Sequence, residues 1–527
     1  MMTKAKALVA ALLATVLVAC GSDIVTPSGK GSGEALSIVA ATELKDMEPL
    51  IQRASKDLGF EIKMEYPDGT IANSYALKNG NFDGNYDATW FATNKYVELL
   101  EAGDKLGAST SIANSPVAFG VHTKTARELG WDKKQPTWAE ITDAVKAKKF
   151  RFGMTDPGRS NSGFSALVSV ATANADTGAA LTTADVQKVS GTLVEFFAGQ
   201  NLTSGSSGWL EDAFLSDPAR TEAIITYESV LIQLQKSGRA DIQVVVPADG
   251  VVTADYPLAA LRTPKSPKAA ENTDRLAKWL LEHNEEIVKD TLRRPVDPAV
   301  ALDAQHQKNT LIELPFPARQ DVADELVLSY GDNLRAPART VFVLDKSGSM
   351  RGQRIQSLRS ILVELVDGTA RTSTGPVGLR NREEVTIIGF DGEVARPFET
   401  TFNKTDPVSK AQLQSSISNL SAGGQTAVYD ALKVAYEQFG SNIPEGQIPS
   451  IVLMSDGASN VGMTFDDFKK FHEKLSPEAR RIPVFIILYG ESNNVEMKAL
   501  ADLTQGKTFD ATKGDLAGAF KEIRGYQ

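Results

Sequence analysis

Thr340-Val341-Phe342-Val343-Leu344-Asp345-Lys346-Ser347-Gly348-Ser349-Met350 is the stretch on which the reading of this 527-residue chain turns. It begins with a short apolar run of β-branched and aromatic residues that ends abruptly at Asp345. From Arg351 to Val366 the apolar residues Ile355, Leu358, Ile361, Leu362 and Leu365 recur at helical spacing. A run this short and this β-branched predicts a buried parallel strand rather than a helix. Asp345, Ser347 and Ser349 then fall on a loop at the C-terminal end of a strand, just before a helix. In open α/β sheets that edge is where ligands bind.

An Asp and two hydroxyls on one loop are hard oxygen donors, suited to a hard divalent cation such as Mg²⁺, with Mn²⁺ and Ca²⁺ as alternatives. Asp and Ser also cap helices, and one loop does not separate the two readings. Two later loops do. Ser421-Ala422-Gly423-Gly424-Gln425-Thr426 brings a hydroxyl to the start of a predicted helix, Ala427 to Phe439. Ser450-Ile451-Val452-Leu453-Met454-Ser455-Asp456-Gly457 is a second apolar strand ending in Asp and Gly.

Together, Asp345, Ser347, Ser349, Thr426 and Asp456 resemble the metal-ion-dependent adhesion site of von Willebrand factor type A domains. The pattern there is Asp-x-Ser-x-Ser, a distant Thr after a Gly pair, and a distant Asp after a strand. All five positions are filled here, in order, and the resemblance spans roughly Pro337 to Gln527. It implies a doubly wound, Rossmann-like sheet with one antiparallel strand. It also implies a metal held by these residues, some directly and others through water, with one position left open for a partner's carboxylate. Lys346 stands at a variable position and is expected to put a positive charge near the metal. Asp391, at the end of another predicted strand, reads as a surface turn residue or as a group behind the site.

Composition narrows the rest. With 42% hydrophobic and 23% charged residues the chain is of ordinary globular type, long enough for about three domains or for two with one large. A net charge of −10 argues against nucleic acid, whose phosphates need a basic surface. The four His are scattered without metal-ligand spacing, which disfavours zinc.

Residues 1–19 carry Lys4 and Lys6 and then an apolar run, Ala7 to Ala19, too short to span a bilayer. The run ends Leu17-Val18-Ala19-Cys20-Gly21 and resembles a bacterial lipoprotein signal, which implies lipidation at Cys20. Cys20 is the only cysteine, so a reactive thiol in a cytosolic protein is the weaker alternative. The expectation is a membrane-anchored protein facing the extracellular or periplasmic side. Residues 20–35, rich in Gly and Ser, read as a flexible tether.

In residues 36–315 short apolar runs alternate with helical patterns, which predicts an α/β fold with a mostly parallel sheet. Ser37 to Thr42, Ser115 to Val121 and Gly153 to Gly163 resemble the first strand and turn, the crossing strand and the second-lobe turn of two-lobed, periplasmic-type solute-binding proteins. The resemblance implies a cleft between two lobes for a small-molecule solute. Hydroxyls and backbone N–H groups at helix N-termini favour anions there. Thr42, Ser160, Ser162, Gly163 and Tyr227 are the candidate contacts, although Ser160 and Ser162 would serve equally as helix caps. Glu43 opposes a simple anion site unless its carboxylate points away. Trp90 could line the cleft or sit in the core. Residues 316–336 are expected as a linker with a short helix over Asp321 to Tyr330, and residues 337–527 as the type A domain.

The expected function is a non-enzymatic, membrane-tethered binding protein whose metal site engages an acidic residue of an extracellular or cell-envelope protein. The alternative is a receptor that hands a small anion or other solute to a membrane permease. A metal-dependent hydrolase ranks last, because no general base or His accompanies a nucleophile near the site.

Overall fold

A computed structural model describes residues 35–527 except 303, 305, 307–310, 373–374, 441–445, 456–458, 490–493 and 512–514. Cys20, the lipoprotein-like segment, the tether and Asp456 therefore lie outside the described residues. Among the described residues no helix is long and apolar enough to cross a membrane.

The N-terminal half forms two lobes. The first is built on a sheet ordered Ile62–Glu65, Leu36–Ala40, Ala88–Trp90, Pro257–Leu261 and Leu106–Ser111. The second is ordered Thr253–Ala254, Ser115–His122, Ala223–Tyr227, Phe152–Thr155 and Gln200–Ser204, with Ile242–Val245 also paired to Ser115–His122. The chain crosses between lobes at residues 112–114 and again at 255–256, where Tyr256 takes a φ of 44° while nearly fully buried. An aromatic side chain in that left-handed region stores strain that the surrounding packing must hold. The N–H groups of Asp255 and Tyr256 both donate to the Ala92 carbonyl, which pins the crossing to the first lobe.

After the first strand comes a 3-10 turn, Thr42–Met47, followed by the α-helix Glu48–Leu58. Pro49 accounts for the break, since it sits at the first turn of an α-helix without needing an N–H partner.

Residues 316–336 are not a free linker. They contain the helix Gln320–Ser329, whose Val322, Ala323 and Leu326 join the core of the solute module. Tyr330 closes the packing: its ring meets Phe197 edge-on at 5.2 Å and its hydroxyl takes a 2.9 Å bond from Gln200 Nε2. An amphipathic helix buries its apolar face wherever one is offered, and the second lobe offers it.

The C-terminal half is a six-stranded sheet ordered Phe398–Phe402, Glu383–Phe390, Ala338–Asp345, Ile448–Ser455, Val484–Leu488 and Lys507–Asp510. Only Phe398–Phe402 runs antiparallel. Helices cover both faces and give two apolar cores, one under Leu344 and Val452, the other under Val343 and Leu453. Val341, Val343 and Leu344 are fully buried, as expected of a parallel strand covered on both sides.

Candidate metal centre and solute cleft

Asp345 ends the strand Ala338–Asp345 and is fully buried. Its carboxylate is held at both oxygens: the Ser347 N–H donates to Oδ1 at 2.8 Å and Ser455 Oγ donates to Oδ2 at 2.6 Å. Ser347 Oγ and Ser349 Oγ lie 3.0 Å apart, with Ser347 buried and Ser349 exposed. Adjacent ligands of an octahedral cation with bonds of about 2.0–2.1 Å are themselves about 3 Å apart, so this hydroxyl pair fits a small dication.

The second loop is sewn to the first. The Gly348 N–H donates to the Gly424 carbonyl at 3.0 Å, and the Gly423 N–H to the Lys346 carbonyl at 2.8 Å. Gly424 takes a φ of 78°, a turn that favours glycine. Thr426 is buried at the base of this loop, its N–H bound by Asn460 Oδ1 at 2.9 Å and its carbonyl by the Asn460 N–H at 2.8 Å. Four of the five expected residues thus belong to two loops at one edge of the sheet. Asp456 is outside the described residues, directly after Ser455.

Lys346 does not stand over the hydroxyls. Its ammonium forms an ion pair with Asp391, and its stem lies across Gly389. Burial alone would raise Asp391, but the Lys346 ammonium and the Glu393 N–H hold its carboxyl below the usual range. Asp391 is therefore more than a turn residue: it neutralises the cation next to the site. Sequence reading missed Ser455, Asn460 and Arg351. Ser455 has only its place at a strand end as a signal, and Arg351, exposed, reaches over Gly423 beside the loops. No group of three His, Cys, Asp or Glu close enough to hold a metal occurs among the described residues.

In the cleft, Ser160 precedes the helix Asn161–Ala175 but makes no side-chain cap. Its hydroxyl instead meets Ser162 Oγ at 3.0 Å, and Ser162 Oγ meets Thr155 Oγ1 at 3.1 Å. Asn161 Nδ2 donates to the Tyr227 hydroxyl at 2.8 Å, while Asn161 Oδ1 is buried without a hydrogen-bond partner. Gly163 has a packing role: a methyl there would stand 2.2 Å from the Thr155 carbonyl oxygen. Thr42 is exposed and bonds its neighbour Glu43 at 3.4 Å, so it is not joined to the serine cluster. Burial pushes the Glu43 carboxyl up. Tyr227 is buried, and its hydroxyl is pushed up by burial and by the facing charge of Glu43. Trp90 is a core residue, its indole N–H bound to the Tyr256 carbonyl at 3.0 Å.

Two family models match. One describes bacterial extracellular solute-binding proteins and covers residues 36–287; the other describes the von Willebrand factor type A domain and covers residues 340–523. Among curated proteins the chain is similar to inter-alpha-trypsin inhibitor heavy chain H4 of Homo sapiens, at 33% identity over 135 residues, 24% of this chain and 13% of that protein. It is also similar to the uncharacterized protein YfbK of Escherichia coli (strain K12), at 28% identity over 208 residues, 38% of this chain and 31% of that protein. The chain thus spans less than a third of the length of either relative. Among solved structures, the periplasmic binding protein AfuA from Actinobacillus pleuropneumoniae matches with a TM-score of 0.45 at 15% identity, over 57% of this chain and 99% of that one. A periplasmic thiamin binding protein matches with a TM-score of 0.43 at 14% identity, over 56% of this chain and 94% of that one. The chain is a solute-binding domain of the bacterial extracellular class joined to a C-terminal von Willebrand factor type A domain.

Proposed function

We propose that this is an envelope-facing, lipid-anchored binding protein whose type A domain captures a protein partner through a divalent cation, Mg²⁺ first. The observation that carries the reading is the loop edge itself: the Ser347 and Ser349 hydroxyls 3.0 Å apart beside the doubly held Asp345 carboxylate. Asp345, Ser347, Ser349, Thr426 and Asp456 would hold the ion. A bound dication supplies an attractive site for a carboxylate. The chain's own residues do the rest. Ser455 and the Ser347 N–H orient Asp345, Asp391 neutralises Lys346, and exposed Ser349 leaves the edge open. Exposed Arg351 beside Gly423 adds a positive charge that favours an acidic partner.

The experiment is retention of cell-envelope proteins on the immobilised chain in Mg²⁺, followed by elution with chelator. The expected result is a set of proteins released by chelator and not retained by an Asp345→Ala variant. Equal retention by the variant would remove the reading.

A second reading has its own observation. Asn161 Oδ1 is buried without a hydrogen-bond partner at the start of the second-lobe helix Asn161–Ala175, which suits a polar solute donating to it. Ser160, Ser162 and Tyr227 are the neighbouring hydroxyls of the second lobe, and Thr42 is a candidate donor from the first. A Glu43 carboxyl shifted upward by burial is also less hostile to an anion than an ordinary one. On this reading the module delivers a solute to a permease. Titration with inorganic phosphate, sulfate and small carboxylates should raise the melting temperature of the full chain, and Asn161→Ala should abolish the rise. No shift with any of them would remove the support for a small anion.

A further inference from the structure

The type A domain does not hang free. It docks on the second lobe through the N-terminal edge of its sheet, the edge opposite the metal loops. Arg380, just before the strand Glu383–Phe390, donates from Nη2 to Asp156 Oδ2 at 3.0 Å. Tyr526 stands edge-on to Trp209 at 5.2 Å, and its hydroxyl meets Ser206 Oγ at 3.3 Å. Arg481 bonds Asp217 at 3.1 Å. Gly525 and Gly205 approach backbone to backbone: a methyl on Gly525 would lie 2.9 Å from Gly205 Cα and 2.5 Å from Arg159 Cδ.

The docking surface includes the turn at residues 156–160, which leads directly into Ser160, Asn161 and Ser162 of the cleft. Asp156 serves both sides of it. Its Oδ1 accepts the Gly158 N–H at 2.8 Å and shapes the turn, while its Oδ2 holds Arg380. Arg159 is touched from both directions. Gly525 packs on its stem, and on the other side a methyl at Gly69 of the first lobe would touch its carbonyl oxygen at 3.6 Å. The lobes meet again where Tyr96 of the first stands edge-on to Phe164 of the second at 5.4 Å. Lys521, on the helix Leu516–Arg524 of the type A domain, lies in the field of Asp68 from the first lobe and of Asp156 and Arg159 from the second. Burial and the Arg159 charge push its amine down to about 8.

We propose that the docked type A domain holds the solute module in its closed arrangement, so that release of the domain and opening of the cleft are one linked transition. The physical route is short. Docking fixes Asp156 and Arg159 in one conformation, and that conformation is the one the Asp68–Gly69 turn of the first lobe packs against. An opened lobe takes Gly69 away from the Arg159 backbone and Asp68 away from Lys521. Linkage then works in both directions: whatever favours closure favours docking by the same factor. The arrangement also explains how a binding edge at one end of the sheet and a cleft at the other sit in one chain without obstructing each other. The inference does not rest on the metal site.

The test uses the full chain with two spin-label pairs. Lys56→Cys with Lys149→Cys, both exposed, reports the separation of the lobes; Lys149→Cys with Lys433→Cys, also exposed, reports docking. Cys20, the only native cysteine, is replaced by Ser in both. Docking is then broken in two independent ways: by charge, with Arg380→Glu, and by bulk, with Gly205→Leu, since a side chain there would meet the Tyr526 ring at 2.7 Å. Melting curves identify any variant that fails to fold, and the other variant then decides. The expected result is that both distances lengthen and broaden together in each folded variant. A lengthened docking distance with unchanged lobe separation would overturn the proposal, and so would an unchanged docking distance in both variants.

Discussion

Ser455 and Asp345 sit on neighbouring parallel strands and are tied by a 2.6 Å hydrogen bond from the Ser455 hydroxyl to Asp345 Oδ2. The bond fixes the rotamer of the one described carboxylate in the candidate metal centre. Groups that orient a metal ligand typically change affinity by roughly 10–100-fold when removed. Ser455→Ala is therefore expected to weaken Mg²⁺ binding by about that factor while leaving the melting temperature without cation nearly unchanged. Calorimetric titration and a thermal scan check both parts.

Asp391 and Lys346 give a second expectation. With the carboxylate removed, the Lys346 ammonium stands near the cation loops uncompensated. Two like charges at such range in a partly wet site interact by about a kcal/mol or more, so Asp391→Asn should lower Mg²⁺ affinity about tenfold. The double variant Asp391→Asn, Lys346→Met should recover most of the loss. Titration of all three forms measures it.

The junction between strand edge and C-terminal helix rests on a buried ion pair. Arg524 donates to Glu383 from both terminal nitrogens, one at 2.6 Å, and Thr340 Oγ1 adds a 3.0 Å bond to the same carboxylate. Both side chains are almost wholly buried. Arg524→Ala would leave Glu383 buried and uncompensated and should cost about 3–5 kcal/mol, whereas replacing both partners with apolar residues should cost much less. Urea unfolding of the two variants separates the cases.

Gly163 tests packing at the cleft. Its Cα approaches the Thr155 carbonyl so closely that a methyl would stand 2.2 Å from the oxygen, in backbone that cannot swing away. Gly163→Ala should destabilise the chain by about 1–3 kcal/mol through overpacking. A small effect on stability with a large effect on solute titration would instead mark Gly163 as a contact.

His472 sets a pH dependence. Its imidazole is buried against Tyr436 and Phe468, and burial, helped by the Arg480 charge, holds it below its usual range. Below about pH 6.5 the unfolded chain takes up a proton that the folded imidazole resists, so stability falls as the pH drops from there. His472→Phe should flatten this part of the profile, read as the urea midpoint of the type A domain at pH 7 and pH 5.

Much of the architecture was legible from local pattern. The apolar run before Asp345 has a periodicity and a composition that only a covered parallel strand satisfies, and the spaced hydroxyls after it follow from that placement. The strand Ser115–His122 and the turn before the helix Asn161–Ala175 were legible through their resemblance to two-lobed solute-binding proteins. What escaped depends on pairing across long separations. Nothing near Ser455 indicates that its hydroxyl serves a carboxylate 110 residues away, and nothing near Arg380 indicates Asp156. The segment 316–336 read as a connection because Pro315, Pro317 and Pro337 mark it locally, while the surface that binds its helix is made by residues far behind it. Ser160 looked like a helix cap because that choice is local; in the fold its hydroxyl is taken by Ser162.

The most direct test of the account is calorimetric titration of Mg²⁺, Mn²⁺ and Ca²⁺ into the chain and into a variant with Asp345, Ser347 and Ser349 changed to Ala. A metal centre at this edge gives one binding event per chain in the parent and none in the variant. Equal heats in the two, or no heat in either, would contradict a metal centre at this edge and would leave the solute cleft as the seat of function.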